Sequence, residues 1–219
     1  MNIRENLIDI NERIKANARG PVTLVAVSKT VTCDEVRVAM DAGQCVFGEN
    51  RVQELQNKYS VIGDDATWHL IGHLQTNKVK YVVDKVKLIH SVDSTRLASE
   101  ISRCCVAKNI VMPCLLQVNV SKEDSKSGVY MEDVNRMVDY MLGLDGICLK
   151  GLMTMAPLEA SERELHNIFS TLYKKYLDIK QEYIHNTDIC MLSMGMTHDF
   201  EIALQEGANI IRVGTGIFH

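Results

Sequence analysis

Strand-like and helix-like segments alternate along nearly the whole chain, and this alternation constrains the fold more than any other feature. The strand candidates are short, apolar and rich in β-branched residues. They are Val22–Ser28, Gln44–Gly48, Thr67–Ile71, Lys87–Val92, Met112–Val120, Ile147–Met153, Asp188–Ser193 and Asn209–Val213. The helix candidates are an amphipathic segment within Met1–Gly20 and then Cys33–Ala42, Arg51–Ser60, Thr76–Asp84, Thr95–Lys108, Met131–Leu142, Ser161–Glu182 and His198–Glu206.

Eight β/α units within 219 residues predict one domain, spanning residues 1–219, built as a closed (β/α)8 TIM barrel with an extra N-terminal helix. The alternative is an open, doubly wound sheet. That fold binds nucleotides at a switch point marked by a glycine-rich fingerprint. Gly214-Thr215-Gly216 is a weak candidate for such a loop, because it lies at the chain end and no following helix is predicted. The barrel is therefore favoured.

Composition excludes several classes of function. A net charge of −4 gives no basic field that would attract nucleic acid. No apolar stretch approaches the roughly 20 residues of a membrane span, and the acidic residues of the N-terminal helix argue against a presequence. The seven cysteines show no metal or redox spacing and suit a reducing cytosol. We expect a cytoplasmic protein, and a monomer.

Lys29 lies at the end of the first strand candidate, in the run Pro21–Thr30. In a barrel, a residue at this end of a strand faces the site above the sheet. Burial would favour the neutral amine, which is the form that attacks a carbonyl to make a Schiff base. The alternative is a lysine that marks the strand end and reaches water, as most lysines do.

The loops after the seventh and eighth strands, Ser193–Thr197 and Gly214–Gly216, have the composition of an anion cradle. Small residues let backbone N–H groups approach a ligand, and three hydroxyl side chains add donors. A helix starting after Thr197 would direct its N-terminus at the same point. Barrels commonly bind phosphate there, although ordinary turns use the same residues.

Other polar residues also fall at predicted strand ends. They are Glu49, Asn50, Gly72, His73, Ser91 and the loop Ser121–Gly128, and Arg212 lies within the eighth strand. The loop Ser125–Gly128 fits either a lid or a simple turn. His69 and His73 have the spacing of a helical metal pair, but the segment is strand-like, which would hold the imidazoles apart, so no metal site is expected.

Taken in order, these segments resemble the pyridoxal 5′-phosphate homeostasis protein family over about Asn6 to Phe218. The matching segments are Val25–Thr30, Phe47–Glu54, Trp68–Lys78, Ser125–Gly128, Gly151–Met153, Leu192–Met196 and Ile211–Thr215. The resemblance implies the barrel of the alanine racemase N-terminal domain, with pyridoxal 5′-phosphate (PLP) held as a Schiff base on Lys29. It also implies a role in keeping free PLP low and supplying vitamin B6, with apo forms of PLP-dependent enzymes as recipients.

The same resemblance implies roles for individual residues. Phosphate contacts would fall on Ser193, Gly195, Gly214 and Thr215, with Arg212 facing the pyridine nitrogen and Asn50 completing the site. An arginine has only donors and so bonds an unprotonated nitrogen, which leaves the ring a poor electron sink. A carrier without turnover is therefore expected, and no catalytic residue is assigned.

Two alternatives stay open. The first is a PLP-dependent racemase, which needs two opposed acid–base groups. In alanine racemase one is a tyrosine from a separate β domain, for which no residues follow the eighth strand here. The second is a barrel that binds another phosphate ester, with Lys29 forming an imine to a sugar or keto acid.

Overall fold

The computed structural model describes residues 2–123, 127–183 and 188–219 and contains a closed barrel of eight parallel strands. Each strand pairs with its neighbours in sequence, and β1 also pairs with β8 to close the ring. The strands are β1 Thr23–Val27, β2 Val46–Glu49, β3 Thr67–Leu70, β4 Leu88–Val92, β5 Met112–Gln117, β6 Ile147–Met153, β7 Met191–Ser193 and β8 Ile210–Val213. The predicted TIM barrel is confirmed, and the open sheet is excluded.

Helices surround the barrel, and α1 precedes the first strand as expected. They are α1 Ile3–Asn17, α2 Cys33–Asp41, α3 Val52–Ile62, α4 Thr95–Ala107, α5 Val134–Leu142, α6 Glu162–Glu182, α7 Phe200–Gln205 and α8 Thr215–Phe218. Short 3₁₀ segments occur at Gly63–Asp65, Thr76–Tyr81 and Met131–Asp133. No helix within the described part of the chain is long and apolar enough to cross a membrane.

The structure differs from the predicted elements at two places in the chain. The segment predicted as a helix over Thr76–Asp84 is a 3₁₀ helix over Thr76–Tyr81. Val79 within this helix and Val82 directly after it are both buried, and the threefold period of a 3₁₀ helix places such i, i+3 pairs on one face. A one-turn helix, α8, also follows Gly214, where no helix was predicted.

Helix boundaries follow local chemistry. Thr32 before α2 and Ser161 before α6 each form a reciprocal capping box, with Glu35 and Glu164 respectively. Each pair satisfies backbone N–H groups that the first helical turn leaves free. These are the starts that the sequence predicted, and they fix where the chain leaves the top of the barrel and enters a helix.

Alternate residues of each strand face opposite layers. The barrel interior holds one apolar cluster, formed by Val25, Val27, Ile71, Leu88, Leu115, Met153 and Ile210. The intervening residues, such as Ala26, Phe47 and Trp68, join a larger cluster between the strands and the helices. Phe47 and Trp68 lie in this outer layer with ring centroids 5.8 Å apart. This alternation determines which residues near the strand ends face the barrel mouth.

Gly151 lies in β6 where the pairing with β5 shifts by one residue. Its φ of +150° is one that residues with a side chain rarely adopt. A Cβ at this position would overlap the carbonyl oxygen of Met191 in β7. The close approach of β6 and β7 therefore requires glycine.

We expect Gly151→Ala to lower the free energy of unfolding by about 3 kcal/mol or more, because it combines a backbone clash with an unfavourable φ. Chemical denaturation measures this. The control is Gly20→Ala, since a methyl group added at Gly20 would meet no atom within 4 Å and the φ there is not positive. A loss no larger than that of the control would contradict the assignment.

Candidate functional site

Lys29 follows β1 after Ser28, at the carboxyl end of the barrel. Strand alternation that places Val25 and Val27 inside also places Lys29 on the interior side of the mouth. The side chain is exposed, so of the two interpretations of Lys29 the structure agrees with the lysine that reaches water. The reason is local: Lys29 lies in a turn beyond the last β1–β2 pairing, where water reaches it.

Arg212 in β8 is 3% exposed and faces the barrel interior. Its Nη1 donates to Ser193 Oγ at 2.5 Å, and its Nη2 donates to the Thr154 carbonyl at 2.9 Å. Burial lowers the pKa of Arg212 to about 10, and the charge of Asp199 opposes that shift. The guanidinium therefore stays protonated at neutral pH and is held by β7 and the residue that follows β6.

Two buried histidines extend this network, a role that the sequence alone did not indicate. His90 Nδ1 lies 3.0 Å from Ser193 Oγ, and His90 Nε2 lies 3.1 Å from His69 Nδ1. Burial lowers the pKa of His69 to about 4, and burial with nearby His69 and Arg212 lowers the pKa of His90 well below its usual range. Both rings are therefore neutral near pH 7. The sequence does contain one signal for their position: both histidines alternate along their strands with residues that face the helices.

Donor counting assigns the proton positions in this network. Ser193 Oγ accepts from Arg212, and His90 Nδ1 is the acceptor within reach of the hydroxyl hydrogen, so the tautomer that satisfies every donor has Ser193 donating to His90. His90 then carries hydrogen on Nε2 and donates it to His69 Nδ1. A continuous chain of hydrogen bonds thus runs from the Arg212 guanidinium across the barrel interior to β3.

His73 is separated from His69, as the strand pattern predicted. It is exposed, and its Nδ1 lies 3.5 Å from Asp93 Oδ2, whereas His69 points into the barrel. Within residues 2–123, 127–183 and 188–219, no group of three or more His, Cys, Asp or Glu side chains is placed to hold a metal ion.

The loops after β7 and β8 meet at the barrel mouth. A Cβ on Gly216 would lie 3.1 Å from Thr197 Cγ2, and one on Gly214 would lie 3.1 Å from the Val27 carbonyl oxygen. Gly195 has a φ of +94° and leaves no room for a methyl group beside Ala203. The N–H groups of Thr215 and Gly216 open α8, so they have no intrahelical partner. Backbone donors therefore lie close together here.

The β7 loop differs from the prediction at its end. The helix begins at Phe200 rather than His198, because Asp199 precedes it and its carboxylate accepts the Met196 N–H at 2.5 Å. Ser193 also lies apart from the loop backbone. It is fully buried and bonded to Arg212 and His90.

The mouth is completed by the ends of β2, β3, β4 and β5. Asn50 is half-buried, and a Cβ on Gly72 would overlap its carbonyl oxygen, so these two loops are in tight contact. Ser91 Oγ donates to the Gly72 carbonyl at 2.6 Å. Gln117 Nε2 donates to the Ser127 carbonyl at 2.9 Å. Ser125 and Lys126, the other half of the predicted lid or turn, lie outside the described residues.

Comparison with known proteins defines the class first. The family model for the alanine racemase N-terminal domain matches residues 2–219, nearly the entire chain. An alanine racemase from Clostridium difficile shares this barrel with a TM-score of 0.78 at 15% identity, over 99% of this chain and 59% of its own, which shows likeness of fold alone.

Closer relatives define the family. A pyridoxal phosphate homeostasis protein of Aquifex aeolicus is 41% identical over 100% of this chain and 98% of its own length. The one from Escherichia coli K12 is 33% identical over 99% and 95%. PipY of Synechococcus elongatus PCC7942, solved with PLP bound, has a TM-score of 0.88 at 34% identity over 99% and 100%. The chain belongs to the pyridoxal phosphate homeostasis protein family.

Because the two histidines are buried and neutral, we expect the folded protein to lose stability in mild acid. The unfolded chain protonates His69 near its ordinary pKa of 6.5 and the folded chain only near 4, so stability falls as pH drops between these values. From about pH 7 to about pH 5, His69 alone contributes a loss of about 2 kcal/mol.

We therefore expect the free energy of unfolding of His69→Gln to fall by about 2 kcal/mol less than that of the native chain between about pH 7 and about pH 5. Urea denaturation at the two pH values measures the difference. His198→Gln is the control, because His198 is exposed. Equal pH dependence in the native chain and His69→Gln would show that the buried ring does not govern acid stability.

Proposed function

We propose that this chain binds PLP as a Schiff base on Lys29 and takes part in vitamin B6 homeostasis by holding and releasing the cofactor without turnover. The observation that carries the proposal is the arrangement of three features along one side of the barrel. In the β1–β8 pair, Val25 lies opposite Arg212, and Val27 approaches Gly214. Lys29 therefore lies nearest solvent, the glycine loop lies below it, and the guanidinium lies deepest.

The residues present fit PLP chemically. The cofactor supplies an aldehyde that condenses with an amine and a pyridine ring that accepts electrons. Lys29 offers an accessible amine and Arg212 a buried, charged donor. The Thr215 and Gly216 N–H groups lie beside the backbones of Gly195 and Gly214, which pack so closely against neighbouring residues that a Cβ would clash with Ala203 or crowd Val27. Such backbone donors suit a phosphate group.

Within this proposal Lys29 holds the aldehyde carbon and Arg212 faces the ring nitrogen. Gly195, Gly214 and Thr215 contact the phosphate, with Thr197 beside them. Asn50 borders the mouth from β2. For Ser193 we propose a different task from the predicted phosphate contact, since its hydroxyl already links Arg212 to His90.

The protonated state of the Arg212 guanidinium supports a protein that holds PLP over an enzyme that uses it in catalysis. A charged guanidinium donates hydrogen bonds and gives up no proton, so the ring nitrogen opposite it stays unprotonated. Catalysis that draws electrons into the ring gains little from such a nitrogen. His69 and His90 lie in the interior and are bonded to each other and to Ser193.

We place the protein in the cytoplasm, with apo PLP-dependent enzymes as recipients. All seven cysteines are free thiols, which suits a reducing compartment. The expected monomeric state stays a prediction, and size-exclusion chromatography with light scattering measures it.

We expect PLP to give a near-visible absorption band with the native chain and, after borohydride reduction, a pyridoxyl label on Lys29. Lys29→Ala should lose both, because Lys29 follows β1 directly after the stretch in which Val27 lies against Gly214 of the glycine loops. Lys87→Ala is the matched control, since Lys87 is also exposed but precedes β4. Peptide mapping locates the label.

Label scattered over surface lysines would instead favour a different phosphate ester as ligand. Amino-acid racemisation by the loaded protein, lost in Lys29→Ala, would show an enzyme rather than a carrier.

Arg212→Ala should weaken PLP binding by about tenfold or more, since it removes a charge-assisted hydrogen bond of about 1.5–3 kcal/mol. The absorption spectrum of the bound cofactor should also shift. Fluorescence titration measures the affinity, with Arg136→Ala as control because the Arg136 side chain is 80% exposed. Unchanged affinity and spectrum would remove Arg212 from the site.

A further inference from the structure

The turn that carries Lys29 is strained. Ser28 N–H still donates to the Gly48 carbonyl at 3.1 Å, and the Val31 N–H donates back to the Ser28 carbonyl at 3.0 Å, which closes the turn over residues 28–31. Thr30 within it has a φ of +63°, an unusual value for a β-branched residue. Such a conformation persists only where the surroundings hold it, and it often marks a functional position.

A buried lysine of the helix α3 is hydrogen-bonded to the backbone of this turn. Lys58 in α3 donates from Nζ to the Ser28 carbonyl at 2.5 Å and to Glu49 Oε1 at 2.6 Å. Ser28 Oγ donates to the same Glu49 oxygen at 2.6 Å. The Lys58 side chain is 8% exposed and that of Glu49 is 0% exposed. Two of these three bonds involve Ser28, the residue covalently joined to Lys29.

A second contact comes from the same helix. Glu54, one turn before Lys58 in α3, accepts the Thr30 N–H at 3.4 Å. The strained residue and the residue before Lys29 are thus both bonded to side chains of α3 and β2. Lys29 lies between them in sequence, and its side chain is exposed.

The composition of this cluster indicates more than space filling. Taking an ammonium and a carboxylate out of water is costly, and well-packed apolar residues would fill the same volume with comparable stability. Within the described residues Glu49 Oε2 is buried and has no hydrogen-bond partner, which adds to that cost. Burial raises the pKa of Glu49, and the Lys58 ammonium opposes this by favouring the carboxylate.

We propose that Lys58 and Glu49 are positioning residues for Lys29: they fix the Ser28 peptide, and so keep the Lys29 amine aimed into the barrel mouth. This inference rests on the proposed attachment of PLP to Lys29. The two residues lie on the outer side of the sheet, facing away from the barrel interior, so we infer that they act through the backbone without touching the ligand.

The test variant is Glu49→Gln with Lys58→Met, which removes the pair without leaving one buried charge alone. We expect slower trapping of Lys29 by borohydride and about tenfold weaker binding of PLP. Pyridoxal, which lacks the phosphate, should lose affinity by the same factor, because the defect lies at the amine. Lys85→Met is the matched control, since Lys85 forms an ion pair with Asp84 away from the turn.

A measurement on the protein without PLP tests the positioning role independently of the proposed function. In the apo protein, amide hydrogen exchange at Lys29 to Val31 should quicken in the double variant, while exchange in β4 and β5 stays unchanged. If the double variant does not fold, Ser28→Ala removes one bond of the cluster and should show smaller changes of the same kind.

Unchanged turn exchange together with PLP affinity within about twofold of the native chain would overturn the positioning role. A loss confined to PLP, with pyridoxal unaffected, would also overturn it, because the defect would then lie at the phosphate cradle. If the native chain forms no label on Lys29, the proposed function fails, and the exchange measurement alone decides whether the cluster holds the turn.

Discussion

The pairing of β1 with β8 is the interaction on which the rest of the site depends. These strands lie at opposite ends of the sequence, and their register, Val25 opposite Arg212, closes the sheet into a barrel. Closure also aligns the turn after β1 with the glycine loop after β8. A shift of one residue in this pair would turn Arg212 toward the helices and separate the amine from the cradle. The pairing that closes the barrel therefore also brings the residues of the candidate site together.

Local patterns in the sequence were sufficient for much of the architecture. Apolar runs of strand length and the caps at Thr32 and Ser161 report interactions between near neighbours, so the elements and their order could be predicted. Closure was inferred by counting units. The 3₁₀ helix at Thr76–Tyr81 is not predictable from a local window, because this segment packs against α3 and α4 with Val79 buried.

The site was less predictable for the same reason. The exposure of Lys29 depends on how far the β1–β2 pairing extends, and the network from Arg212 to His69 joins four strands that are distant in sequence. A histidine in an apolar strand carries no local sign of its partner. Combining strand parity with closure would have placed His69, His90 and Arg212 in one interior layer, since each continues the inward-facing set of its strand.

The exposed position of Lys29 has a consequence for how a ligand bound to this amine would be released. A carbonyl compound joined to an amine is released by water, so a linkage that water reaches is one that reverses without a domain movement. Deep burial would lengthen residence and would also require a gate. In the proposed site the amine lies at the rim and the charged donor at the base. The rate of ligand exchange and the strength of ligand binding would then depend on residues at different depths of the same barrel, and substitutions could change each one separately.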